Sequence, residues 1–141
     1  MDKFVIDEWI VYSNTDLSSA KHLYDTMNPQ PLEIICYLCQ QSSEKILKAY
    51  WLYCEFRPPR THDLEVLRAK CGEIDKAFVE LINECARLNS YSIQPRYPFG
   101  MELTKDIALL AIKDSESISN FVKARIVFES EGGNCNGKSR K

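Results

Sequence analysis

Apolar residues recur at helical spacing along almost the whole chain. Ile6, Trp9, Ile10, Leu17, Ala20, Leu23, Tyr24 and Met27, with Ser13 among them, follow the 3–4 pattern of a first amphipathic helix ending before Asn28-Pro29. Pro31 fits the first turn of a second helix, where its missing N–H costs nothing, and Pro58-Pro59 stop that helix after about Glu55. Thr61 and Asp63 are placed to cap a short third helix running to Cys71-Gly72, Asp63 being favoured also by the helix dipole. Asp75 opens a fourth, with the core row Phe78, Leu81, Ile82, Cys85 and Leu88. A break follows from Asn89 to Met101, and Thr104 caps a fifth helix carrying Ile107, Ala108, Ala111, Ile118, Phe121 and Val122. No segment alternates with a period of two, so no sheet is expected. The pattern predicts an all-α fold: an antiparallel up-and-down four-helix bundle with one additional short helix, over residues 1–131, followed by a Gly/Asn-rich flexible tail at 132–141.

The second helix breaks this pattern in one respect. Leu32, Ile35, Cys36, Cys39, Ser43, Ile46, Leu47, Tyr50 and Tyr53 read as core, yet Gln40, Glu44 and Lys48 stack at i, i+4 and i+8, with Gln41 and Lys45 beside them. A helix with so continuous an apolar side does not need this polar stripe for solubility. The stripe is either a helix-to-helix polar contact or the wall of a binding surface.

Composition changes the picture only by exclusion. The chain of 141 residues, 45% hydrophobic and 27% charged, has the make-up of one ordinary globular domain. A formal net charge of −2 provides no whole-molecule attraction to nucleic acid, so any such binding must rest on a local basic patch. No run of apolar residues is long enough for a membrane helix, and the first residues do not read as a signal peptide, so a cytoplasmic protein is expected. Cys36 and Cys39 form a C-x-x-C pair on the apolar side of the second helix, without a second pair or a histidine pair at zinc-site spacing. The cysteines up to Cys85 read as small buried hydrophobes and Cys135 as a free thiol in the tail. Neither metal nor cofactor is expected.

Several phrases resemble one family. Asp16-Leu17 with Ala20 on the first helix, Gln40-Gln41-Ser42-Ser43-Glu44-Lys45-Ile46-Leu47-Lys48-Ala49 on the second, Arg60-Thr61-His62-Asp63-Leu64 after the proline pair, and Arg96-Tyr97-Pro98 before the last helix resemble, in order and spacing, the HEPN domain over roughly residues 4–125. Ser42-Ser43 stand where that family usually carries alanines, a change small enough to keep helix packing. The resemblance implies an all-helical bundle, commonly a homodimer, often encoded beside a minimal nucleotidyltransferase in toxin–antitoxin or related conflict modules. Some branches of the family are metal-independent ribonucleases that use an Arg and a His separated by four to six residues. Others are non-catalytic binding modules.

Two constellations are candidates for the chemistry. Arg57 and His62 stand in an R-x4-H relation: His62 as general acid or base on a ribose 2′-hydroxyl, Arg57 against the phosphorane charge. Pro58-Pro59 lie between them, so they do not share a helix. The structural alternative for His62 is a hydrogen bond to the neighbouring bundle helix that fixes the turn. The second constellation is a nucleotide- or phosphate-binding pocket of Gln41, Glu44, Lys45, Lys48, Arg60 and Arg96, with Tyr97 stacking on a base. Its structural alternative is a Glu44–Arg96 pair between helices. The first reading of function is therefore a non-catalytic HEPN binding module that engages a minimal nucleotidyltransferase partner and a nucleotide or RNA phosphate. The alternatives are a ribonuclease acting through Arg57 and His62, and a helical association scaffold.

Overall fold

The computed structural model describes residues 3–92 and 102–127. Five α-helices and one 3-10 helix occupy them: α1 (Lys3–Thr26), α2 (Leu32–Tyr53), α3 (Leu64–Ile74), the 3-10 helix Lys76–Leu81, α4 (Ile82–Asn89) and α5 (Lys105–Lys123). No strand occurs among the described residues, and no helix there is long and apolar enough to cross a membrane.

The helix ends follow local chemistry. Thr104 Oγ1 accepts from Ile107 N at 3.1 Å, as its position before α5 predicts. Of the two expected capping residues Asp63 is the cap of α3: its carboxylate accepts from Glu65 N and Val66 N, while Thr61 Oγ1 accepts from Asp63 N one step earlier. A carboxylate at this position also neutralises the positive end of the helix dipole, which a hydroxyl does not. α2 ends in a Schellman turn, with Glu55 N donating to Leu52 O at 2.8 Å and Phe56 N to Trp51 O at 3.1 Å. That turn needs a left-handed residue, and here Glu55 takes it, at φ 67°. The hydrophobic contact that accompanies such turns is present as Trp51 against Phe56, ring centroids 5.1 Å apart.

Two boundaries differ from the sequence reading. α3 runs through Gly72 to Ile74 instead of stopping at Gly72, and the nearest side-chain atom to a Cβ built there is Phe78 Cβ at 4.0 Å. The predicted fourth helix divides: Asp75 caps a 3-10 segment by accepting from Ala77 N at 3.0 Å, and a regular helix begins only at Ile82. The change of pitch rotates Ile82 out to solvent, 42% exposed, although Phe78, Leu81, Cys85 and Leu88 are buried as expected.

α2 is the axis of the bundle, packed against α1, α3, α4 and α5. Contacts at Asn14–Lys123 and Lys21–Glu116 make α5 antiparallel to α1, and those at Arg87–Asp114 and Asp75–Arg125 run the stretch from Asp75 through α4 antiparallel to α5. Small residues line the seams next to α2. Ser13 Oγ donates to Ser42 O at 2.7 Å while Ser42 Oγ donates to Ser13 O at 2.8 Å, joining α1 to α2. On the other side Ser43 Oγ meets Ser115 Oγ at 3.2 Å, joining α2 to α5. The Ser42-Ser43 pair thus preserves close packing and adds bonds that tie neighbouring helices. At one end of the bundle Tyr50, Phe78 and Phe121 form an aromatic core, with centroid separations of 4.7 and 5.0 Å.

Cys36, Cys39, Cys71 and Cys85 are free and buried. Burial pushes the Cys36 and Cys85 thiols up to about 12 and also raises Cys39 and Cys71, so none is a nucleophile near neutrality. Cys54 is equally buried but disulfide-bonded, which corrects its reading as a plain buried hydrophobe. Cys135 and the tail 132–141 lie outside the described residues.

Candidate functional site: a histidine held by a buried carboxylate

The polar stripe of α2 points inward, beneath the segment that links α2 to α3. Gln40, Glu44 and Lys48 are all buried, so the stripe is an internal polar contact. Residues 54–63 leave the end of α2, fold back and run along it. Near its start this segment is fastened by Trp51 Nε1, which donates to Arg57 O at 2.5 Å. At its far end Gln40 Nε2 donates to His62 O at 3.1 Å. Asn89, at the end of α4, completes the anchoring: its Oδ1 accepts from Leu64 N and its Nδ2 donates to Asp63 Oδ1, both at 2.9 Å.

These restraints deliver His62 to Glu44. His62 Nδ1 lies 2.9 Å from Glu44 Oε2, and Lys48 Nζ lies 3.0 Å from the same oxygen. The carboxylate is 8% exposed and the lysine 11%, whereas the histidine side chain is 76% exposed. Lys48 neutralises Glu44 inside the bundle, where a lone carboxylate would be costly. With the Glu44 carboxylate as acceptor, Nδ1 is the donor of this bond and Nε2 is the ring nitrogen left to face outward. A ring otherwise free to rotate in solvent is thereby held in one orientation by a group it does not share with solvent.

Of the other residues expected at the site, Gln41 Nε2 donates to Gln40 Oε1 at 2.8 Å and so orients the amide that holds the His62 carbonyl. Lys45 is turned toward α1, paired with Asp16 at 2.5 Å. Both lysines of the stripe therefore already have carboxylate partners. Arg57 and Arg60 are exposed on the returning segment. Trp51, beneath the Arg57 carbonyl, and Glu44, beneath His62, are about two turns or 10 Å apart along α2, so Arg57 and His62 are docked at separate points of the helix. Arg96 and Tyr97 lie outside the described residues; Glu44 is engaged by Lys48 and His62.

Gln40 and Asn89 are the supporting residues that sequence reasoning did not assign to the site. Gln40 carried a signal, since it opens the i, i+4, i+8 stripe. Asn89 carried none, because its partners lie more than twenty residues upstream and only the packing of α3 against α4 brings them close.

Comparison with known proteins agrees with this architecture. The chain is similar to the crystal structure of ST0689, an archaeal HEPN homologue, at TM-score 0.69 and 21% identity, covering 88% of this chain and 98% of that one. It is also similar to the crystal structure of TT1696 from Thermus thermophilus, at TM-score 0.72 and 21% identity, covering 84% of this chain and 96% of that one. At such identity these likenesses speak to the fold. The search of curated proteins finds no match. The HEPN domain model matches residues 6–125, spanning α1 to α5 from the first buried residue of the bundle onward, and the chain belongs to the HEPN domain family.

Proposed function

We propose that this HEPN domain is a non-catalytic binding module whose ligand contact is His62, flanked by Arg57 and Arg60 on the same exposed segment. The supporting observation is the held imidazole: a largely exposed ring whose inner nitrogen is bound to a buried, lysine-neutralised carboxylate. Such a ring offers an oriented N–H or lone pair at Nε2 without the entropy loss of ordering a free side chain on binding. The two exposed arginines of the same segment supply charge along it that recognises a phosphate of a nucleotide or RNA. In this reading Gln41, Glu44, Lys45 and Lys48 shape and neutralise the floor, and Arg57, Arg60 and His62 meet the ligand. Arg96 and Tyr97 remain the cationic and aromatic candidates for the base. The module works in the cytoplasm as a homodimer, beside a minimal nucleotidyltransferase partner in a toxin–antitoxin or related conflict system.

A second reading draws on the same geometry. A histidine with Nδ1 on a carboxylate and Nε2 open is also the arrangement of a general base, and Arg57 brought in from a second protomer would complete a metal-independent ribonuclease. The separate docking points of Arg57 and His62 favour binding over cleavage within one chain. An RNA cleavage assay in EDTA, run beside fluorescence-anisotropy binding of the same labelled RNA and of a labelled nucleotide, distinguishes the two. Binding without cleavage is expected, weakened about tenfold in His62→Ala, equivalent to one charge-assisted hydrogen bond. Cleavage by the wild type that disappears in His62→Ala would establish the ribonuclease. Absence of binding to either ligand would leave the association scaffold. Co-purification with a nucleotidyltransferase encoded next to this chain tests the partner.

A further inference from the structure

The seam between α1 and α5 differs from the seams that flank α2. On α1 it is lined by Asn14, Leu17, Ser18 and Lys21, and on α5 by Glu116, Ser119, Asn120 and Lys123, around a groove of about 380 Å³. Both sets fall at i, i+3, i+4 and i+7, so each forms a single stripe about two turns long on its helix. Leu17 is the only apolar member of this lining. An ordinary bundle seam closes by interdigitating apolar side chains, whereas this one stays open and faces hydrogen-bonding groups across the gap.

The two lysines stand at opposite ends. Lys123 Nζ bonds Asn14 Oδ1, and Lys21 Nζ pairs with Glu116. Side chains on a helix tilt toward its N-terminus, and because α1 and α5 are antiparallel, both lysine stems leave their helices in the direction of the middle of the groove, their ammonium groups engaged at its ends by Asn14 and Glu116. Two ammonium groups and one carboxylate leave one positive charge in excess. The Asn14 partner of Lys123 is a neutral amide, and burial together with the nearby Lys21 holds the Lys123 ammonium below the usual lysine range. Ser18, Ser119 and Asn120 line the same groove with hydroxyl and amide groups able to donate hydrogen bonds.

We infer that this groove is a second ligand site, for a small phosphate ester rich in hydroxyl groups, with the phosphate between Lys21 and Lys123 and the hydroxyls on Glu116, Asn14 and Asn120. The excess positive charge selects an oxyanion. The size of the groove calls for more than a bare phosphate, since it falls in the range of small-molecule sites. Glu116 accepts hydroxyls and repels a second anionic group, so a polyanion is disfavoured. The site is on the α1–α5 seam and does not depend on the His62 reading.

The test uses ribose 5-phosphate as the probe, inorganic phosphate as the minimal one, and sodium chloride at matched ionic strength as the control. It is read by amide chemical-shift perturbation on the full chain. Ribose 5-phosphate is expected to shift resonances of α1 around Asn14–Lys21 and of α5 around Glu116–Lys123, with phosphate binding more weakly at the same place. Lys123→Met, which keeps the aliphatic stem, should weaken binding at least tenfold, and Lys21→Met serves should that variant fail to fold. Lys76→Met, at an exposed position on the 3-10 helix, should bind as the wild type does. Shifts no larger than those from chloride, or undiminished binding by both folded groove variants, would overturn the assignment.

Discussion

Glu44 and Asp114 sit at the same depth in the same bundle, their side chains 8% and 6% exposed, yet they are neutralised in different ways. Asp114, on α5, receives a two-pronged contact from Arg87 of α4, with Nε on one oxygen at 2.8 Å and Nη2 on the other at 2.9 Å. Both oxygens are taken by a cation that stays charged at any working pH, in the planar geometry that suits a guanidinium. Glu44 instead concentrates its contacts on one oxygen, shared by a lysine of its own helix and an exposed histidine of the connecting segment. The first arrangement locks one helix to another through a cation whose charge is fixed. The second holds a largely exposed side chain whose other nitrogen faces solvent. Two equally buried carboxylates thus separate into a brace and a site, according to whether the partner is a two-pronged cation joining two helices or a largely exposed ring held by one nitrogen.

That contrast can be broken by substitution. The largest effect is expected for Arg87→Met, which leaves Asp114 buried without its cation. Because Arg87 is itself 45% exposed and water can reach the gap, a loss of about 2–3 kcal/mol in urea unfolding is expected, below the range for a fully enclosed pair. A loss under about 0.5 kcal/mol would show that the brace contributes little. Glu44→Gln should cost less, about 1–2 kcal/mol, since Lys48 can extend along the helix surface to reach water. Glu44→Leu, which has no acceptor, should release the His62 ring, seen by NMR as averaging of its side-chain couplings, and a ring that stays fixed there would mean Glu44 is not what holds it. The smallest effect is expected for His62→Ala, below about 0.5 kcal/mol, because an exposed side chain adds little to the folded state. A large destabilisation there would turn His62 into a second brace and remove the ground for a binding role.

The helices were legible because their signals are local. Apolar spacing, the Asn28-Pro29 and Pro58-Pro59 stops and the caps at Asp75 and Thr104 each act within a turn or two, and the structure follows them. Where the reading slipped, a local signal was ambiguous: Gly72 both permits a helix end and tolerates a helix interior. Ile82 was misplaced because a 3-10 segment before it changes the rotation per residue, which an apolar pattern cannot reveal. The site was half legible. The stripe of Gln40, Glu44 and Lys48 announced a polar contact on α2, but not that the segment 54–63 would fold back over it, nor that Lys45 would turn away to Asp16.

What the sequence by itself determined is the set of helices and the faces they bury, because side-chain spacing along a 3.6-residue repeat decides which groups share a side. Which of those groups meet was decided by tertiary structure alone. Trp51, Gln40 and Asn89 fasten a connecting segment from three different places, and only that path brings His62 to Glu44. The antiparallel approach of α1 and α5 likewise sets Lys21 and Lys123, far apart in the chain, at the two ends of one groove. Contacts over such separations depend on where whole helices come to rest, and no short-range pattern encodes that.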